Sequence, residues 1–147
     1  MDNEYEALLL KNQLCFPLYA CAREMIKRHK PYLDQIGLTY TQYIAMIVLW
    51  EKKSVTVKEL GEALYLDSGT LTPLLKKMEA KGLLTRRRST EDERSLIVSL
   101  TEKGAALQAQ AAGIPAKMTH CVGLEPEETR ELSRLLNKLL KDRPEKE

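Results

Sequence analysis

A chain of 147 residues is about one domain's worth, long enough to bury a real core. Its 23 lysines and arginines against 21 aspartates and glutamates leave a formal charge of +2, so attraction to an anionic partner has to come from local clustering. The longest apolar run, YIAMIVLW at residues 43–50, falls far short of the roughly 20 residues that cross a bilayer. The acidic start MDNEYEALLLKNQL lacks the basic region and long apolar core of a secretory signal, so a cytoplasmic protein without membrane contact is expected.

From about Tyr5 to Lys30 the chain reads as helical, with Leu8, Leu14, Leu18, Tyr19, Cys21, Ala22 and Met25 roughly three and four residues apart. Pro17 either kinks that helix or occupies the first turn of a second one, where its missing N–H costs nothing. In TYTQYIAMIVLWEK, Thr39 and Gln42 fit a capping box ahead of a largely buried helix. A third helix follows in TVKELGEALYL, where Thr56 and Glu59 form a second capping box and Leu60, Ala63 and Leu64 share a face. Asp67 or Ser68 can cap a fourth, GTLTPLLKKMEAKG, whose Leu71, Leu74, Leu75 and Met78 keep helical spacing and whose Gly82 ends it. Pro73 is tolerated there if it lies near the first turn. The outward residues of this helix are Ser68, Thr70, Thr72, Lys76 and Lys77.

After Gly82 the period changes. LLTRRRS and SLIVSLT are β-like and joined by TEDER, a short hairpin with a charged tip. Thr101 opens a long helical stretch, broken near Gly113 to Pro115 and near Gly123, before EPEETRELSRLLNKLLKDR with Leu132, Leu135, Leu136, Leu139 and Leu140 on one stripe.

The fold class is therefore mostly α with a small β-wing: a winged helix-turn-helix lobe with dimerisation helices at the N- and C-terminal ends. Residues 56–66 are the supporting helix and 68–81 the recognition helix. One unit spans 1–147, with the lobe at approximately 36–102 and dimerisation helices at 5–32 and 103–142. Leucine-rich segments at both ends, with no other core to cover them, point to a homodimer whose recognition helices meet half-sites about one helical turn apart on double-stranded DNA. Between Lys76 and Arg94 stand seven basic residues against four acidic ones. By composition alone RRRSTEDER is a solvated hairpin tip, but after a capped, hydroxyl-rich helix it reads as a DNA contact. Arg86 and Arg94 would serve from the wing, and the helix lysines and hydroxyls would reach phosphates and base edges.

The cysteines Cys15, Cys21 and Cys121 are odd in number, form no C-x-x-C, and have only His29 and His120 beside them, so free thiols are expected, with no metal and no cofactor. Cys15 is either an apolar filler or a reactive thiol, and reactivity needs hydrogen-bond donors or a helix N-terminus. Pro17 in a first turn would supply the helix end, and Tyr19, His29 and Tyr40 are candidate donors. Cys21 sits about 9 Å further along the same helix, beyond the roughly 7 Å Cα limit of a disulfide with Cys15, and is expected in the core.

LTYTQYIAMIVLWE, LYLDSGTLTPLLKKMEAKGLLTR and RSTEDERSLIVSLTEKG resemble the MarR family of dimeric winged-helix repressors. The DSGTLTPLLK helix together with QLCF near the N-terminus resembles its organic-hydroperoxide-sensing branch, the OhrR type, and the likeness runs from about Asn12 to Leu140. The resemblance implies that Cys15 is the peroxidatic cysteine, that Tyr40 bonds its sulfur from the partner subunit, and that Asp92 and Arg94 are the wing pair. His29 stands where the branch usually has a second sulfur-facing tyrosine. Cys121 resembles the resolving cysteine of the two-cysteine subclass. With the leucine-rich helices meeting at the dimer interface, the expected bridge joins Cys15 of one subunit to Cys121 of the other.

The implied function is a non-enzymatic repressor that holds a palindromic operator when reduced and leaves it when organic hydroperoxide oxidises Cys15. A regulator released by a small aromatic ligand, with structural cysteines, and a thiol peroxidase are the rivals. The second has no arginine nearer Cys15 than Arg23.

Overall fold

The computed structural model of the chain describes residues 4–142. Two short 3₁₀ turns, Glu6–Leu8 and Leu10–Asn12, precede α1 (Cys15–Asp34). The helix expected from Tyr5 thus begins at Cys15 and runs past Lys30. Pro17 explains the late start: at the third helical position it gives up an N–H that has no intrahelical acceptor, whereas a helix running through it from Tyr5 would lose a bond.

Both capping boxes form. The Thr39 hydroxyl accepts from the Gln42 N–H and the Gln42 side chain accepts from the Thr39 N–H, opening α2 (Tyr40–Lys52). Thr56 and Glu59 do the same for α3 (Val57–Leu64). Of the two candidate caps of α4 (Ser68–Ala80) it is Asp67 that accepts from the Thr70 N–H, at 2.8 Å. Pro73 is the sixth residue of α4, one turn deeper than expected. It leaves the Gly69 carbonyl without its i+4 donor, and the helix continues to Ala80. Gly82 follows with φ +76°, the left-handed geometry that stops a helix at little cost in glycine.

β2 (Leu84–Arg88) and β3 (Leu96–Leu100) form the expected hairpin. A third strand, β1 (Ser54–Thr56), was not anticipated. It pairs antiparallel with β3, giving the order β1-β3-β2. Three residues are too few to show alternation, so nothing local announces it. Thr101 caps α5 (Glu102–Ala111), and the breaks at Gly113 and Gly123 deliver α6 (Ile114–Val122) and α7 (Pro126–Lys141).

The core lies where α2, α3 and α4 close on the sheet. Met46, Leu49, Leu60, Leu71, Leu75, Met78, Leu84 and Val98 are fully buried. Truncating any one of the leucines to alanine costs about 2–5 kcal/mol, because packed surroundings relax only partly around the hole. By contrast α7 buries no residue, and its Leu132, Leu135, Leu139 and Leu140 are 40–53% exposed. Leu14, just before α1, and Phe16, Tyr19 and Ile26 along it are exposed as well. Among the described residues no helix is long and apolar enough to cross a membrane.

At the joint between α2 and α5, the buried Trp50 indole donates to the Gly104 carbonyl at 2.9 Å. A Cβ on Gly104 would collide with the Leu83 carbonyl and lie 2.9 Å from Leu100 Cδ1, whereas one on Gly113 would meet nothing within 4 Å. Gly104→Ala is expected to destabilise the chain by about 1–3 kcal/mol through overpacking. Gly113→Ala should be neutral or slightly stabilising, since its φ of −84° suits any residue. Urea midpoints of the two variants check this, and equal midpoints would refute the close approach.

Candidate DNA-reading face and thiol site

α4 presents Ser68, Thr70, Thr72, Lys76 and Lys77 to solvent, opposite the buried Leu71, Leu75 and Met78. The Thr72 hydroxyl is partly committed, donating to the Ser68 carbonyl at 2.9 Å. Beyond α4 the wing tip folds on its own hydrogen bonds. Ser89 Oγ accepts from the Glu91 and Asp92 N–H groups, and Asp92 Oδ1 accepts from the Arg94 N–H at 3.0 Å. Asp92 therefore shapes the turn that carries Arg94, and as an anion it gains nothing by approaching phosphates itself. Arg94 is exposed at that tip.

Arg86 departs from expectation. It points inward from β2 with Leu84, and Glu79 of α4 takes both its backbone N–H at 2.8 Å and its guanidinium at 3.1 Å. These two bonds and the adjacent positive charge hold the Glu79 carboxyl below the usual carboxylate range. Arg86 fastens the wing to α4, and the exposed Arg87 occupies the outer face instead. Strict alternation from the buried Leu84 carries that signal, since Leu84 and Arg86 must share a side.

The thiol residues fall into two groups at opposite ends of α1. Cys15 is the first residue of the helix and exposed. Tyr19, one turn on, accepts a hydrogen bond from Arg23 at 3.3 Å and lies under its guanidinium at 5.4 Å, which leaves the phenolic O–H free to donate. Cys21, expected in the core, is exposed, because the face of α1 that carries it meets no other part of the chain.

The other end holds the remaining candidates. The His29 and Tyr40 rings meet edge to face with centroids 4.9 Å apart, and Tyr43 lies 6.1 and 6.2 Å from them. Burial, helped by the negative charge that Tyr40 takes when ionised, pushes the Tyr43 phenol above its ordinary range. His29 Nδ1 is 2.8 Å from the Met25 carbonyl, which can only accept, so Nδ1 carries the proton. Cys121 of α6 comes to the same end: Arg28 donates to its carbonyl at 2.7 Å and Tyr32 Oη lies 3.8 Å from its sulfur. That hydrogen bond, then the negative charge the sulfur takes when ionised, raises the Tyr32 phenol and keeps its proton available to the thiol. Lys117 Nζ stands 5.3 Å over the Tyr32 ring. Tyr32, Arg28 and Lys117 were not among the expected residues; Arg28 and Tyr32 lie 93 and 89 positions from Cys121 in the chain and only packing joins them to it.

Fourteen residues at 1.5 Å each separate Cys15 from His29 by about 21 Å along one helix. Within one chain the expected sulfur does not meet His29 at the far end of the helix.

The chain matches the transcriptional regulator SarA/Rot family over residues 27–110. It is 52% identical over 139 residues to the organic hydroperoxide resistance transcriptional regulator of Bacillus subtilis (strain 168), covering 95% of this chain and 92% of that protein. The chain belongs to the MarR family of winged helix-turn-helix regulators. Within that family it stands in the organic-hydroperoxide-resistance branch. Another relative, AbfR of Staphylococcus epidermidis, has been solved in several forms. Reduced AbfR bound to DNA superposes with a TM-score of 0.76 at 35% identity, covering 95% of this chain and 97% of that one. Overoxidised AbfR on DNA gives 0.75 at 36% identity, with 95% and 98% covered, and disulfide-formed AbfR gives 0.64 at 36%, with 92% and 95% covered. The relatives are named regulators, and the chain is a MarR-type transcriptional regulator.

The wing separates two arginines that look alike in sequence. Arg94→Ala is expected to weaken operator binding and to reduce its salt slope by about one unit, with the melting temperature unchanged. Arg86→Ala should instead lower the melting temperature, because it frees Glu79 from its partner. Because the folded-state pKa of Glu79 is lowered, its contribution is present above the ordinary carboxylate value and lost as pH falls through the folded value. Glu79→Gln should accordingly flatten the loss of stability below about pH 4.5. Thermal melts across that range, beside operator titrations at two salt concentrations, decide both points; an Arg86→Ala protein that melts like the wild type would refute the assignment.

Proposed function

We propose that the protein is a homodimeric repressor that holds a palindromic operator while Cys15 is reduced and leaves it after an organic hydroperoxide oxidises Cys15. The observation that carries this reading is the division of the thiol site between the two ends of α1. Two α1 helices packed antiparallel would bring Cys15 of one subunit to His29, Tyr40 and Cys121 of the other. The apolar side chains exposed on α1 and α7 are the surface such a partner would cover.

The chemistry follows from that arrangement. The Cys15 thiolate attacks the OH oxygen of the peroxide, the O–O bond breaks, the alkoxide leaves and takes up the proton the thiol gave up to become an alcohol, and the sulfur becomes a sulfenic acid. The Cys121 thiol of the partner subunit then displaces hydroxide, forming an intersubunit disulfide and water. Tyr32, already bonded to Cys121 sulfur, supports that thiol as it loses its proton. AbfR has been solved on DNA both reduced and overoxidised, and also as a disulfide, so a relative reaches each of these oxidation states. Drawing two subunits together by a new covalent bond strains the spacing of the wings. A change of about 1.4 kcal/mol in relative DNA affinity is already tenfold in binding. On the DNA side we assign Ser68, Thr70, Lys76, Lys77, Arg87 and Arg94 to the contact surface, with Thr72 at its edge and Asp92 as the support of Arg94.

Operator binding by wild type, Cys15→Ser and Cys121→Ser is to be measured before and after one equivalent of cumene hydroperoxide, with non-reducing gels alongside. The wild type should lose the operator and run as a reversible dimer. Cys15→Ser should bind and ignore peroxide, and Cys121→Ser should show no dimer band and drift toward sulfinic and sulfonic forms. A full response in Cys15→Ser, or a Cys15 to Cys21 linkage by mass spectrometry, would overturn the proposal. Release by salicylate but not by peroxide would install the aromatic-ligand rival in its place.

A further inference from the structure

We propose that His29 is the proton carrier of peroxide sensing: it takes the proton of the Cys15 thiol of the partner subunit and hands it to the departing alkoxide. This rests on the intersubunit thiol site proposed above and assigns it a base. The geometry points to that role through the hydrogen-bonding of the ring. Nδ1 donates to the Met25 carbonyl at 2.8 Å and so holds a proton. In the neutral ring the other nitrogen, Nε2, is then an acceptor only. A tyrosine at this position offers a sulfur a donor, whereas this histidine offers a thiol a place to put its proton. Among the described residues nothing is bonded to Nε2, and the Tyr40 ring packed at 4.9 Å steadies the imidazole plane.

The charged and titratable groups around His29 come from α1, α2 and α6. The carboxylates flanking His29 on α1, Glu24 and Asp34, are engaged by Lys27 at 3.4 Å and Lys30 at 2.9 Å. The phenols Tyr40 and Tyr43 face it from α2. Arg28 and Tyr32 on its own helix, with Lys117 and Cys121 of α6, complete the titratable groups at this end. Both carboxylates at this end are thus already paired with lysines. The imidazolium that proton transfer creates would find its counter-charge in the thiolate.

The balance is simple. The S–H proton moves to Nε2. The thiolate then takes an OH group from the organic hydroperoxide, the S–O bond forming as the O–O bond breaks. The sulfur is oxidised by two electrons and the peroxide reduced, and the alkoxide leaves with the proton from Nε2, so the ring ends neutral. The sum is thiol plus hydroperoxide giving sulfenic acid plus alcohol. The departing alkoxide is the strongest base formed in the cycle, and an acid poised beside it contributes typically 10²-fold or more.

The test follows the rate of Cys15 oxidation by cumene hydroperoxide from about pH 5.5 to 8.5, the range in which an imidazole changes charge, in wild type, His29→Gln and His29→Tyr. Mass spectrometry reports the sulfenic acid, and melting temperature reports the fold. A thiolate–imidazolium pair titrates as a couple, so the wild type should give a bell-shaped profile. Both variants should give a single rising limb, and His29→Gln should be roughly 10²-fold slower near neutral pH. If His29→Gln does not fold, the profile of His29→Tyr decides alone. Superimposable profiles in wild type and either folded variant would overturn the role of His29 while leaving peroxide sensing standing. Absence of Cys15 oxidation in the wild type would instead remove the proposed function on which it rests.

Discussion

A straight α-helix cannot bring its own two ends together, and in this chain that constraint governs everything downstream of the first cysteine. α1 runs unbroken from Cys15 to Asp34, with its first proline placed where helical geometry accepts it. The thiol and the aromatic cluster are thereby held about 21 Å apart. A chemical site split in this way is incomplete in a single copy. In the proposed dimer, assembly and sensing would be one requirement, because the surface that would pair two chains is also the surface that would complete the site.

The same helix ties the thiol end to the DNA-reading lobe through rings in contact. His29 meets Tyr40 and Tyr43, and Tyr43 meets Trp50 edge to face at 6.5 Å. Trp50 in turn bonds the backbone of α5 at Gly104, which packs directly against the Leu83 carbonyl beside the wing. α2 is thus shared property: its first turn belongs to the His29 end of α1 and its last to the core of the lobe. Glu79 and Arg86 add a second rigid joint, locking the wing onto the helix that precedes it. A displacement at one end of α2 moves packed, bonded surfaces and has little slack in which to dissipate.

Much of this was readable from residues in order. Helix starts were legible because Thr39 with Gln42, Thr56 with Glu59, and Asp67 are local devices that act within four residues. The stops at Gly82 and Gly123 were legible because positive φ leaves few choices of residue. β1 was not, since three residues show no period and its pairing partner is over forty positions away. The inward turn of Arg86 was present in the alternation from Leu84 but was outweighed by a run of three like charges. Cys21 and the α7 leucines carry the spacing of a buried face, yet the face has no cover within the chain, so spacing alone could not say which core they belong to. The company of Cys121 was hidden by sequence distance, which only the packing of α6 on α1 removes.

Trp50 is the only tryptophan among the 147 residues, and it is buried where α2 crosses to α5 with its indole N–H held by a backbone carbonyl. Indole emission responds to the polarity of its surroundings and to a bonded neighbour at the ring nitrogen. The protein consequently carries a built-in optical gauge at the joint between its thiol end and its wing. Any rearrangement that opens that joint changes the colour and lifetime of its light without a label being attached.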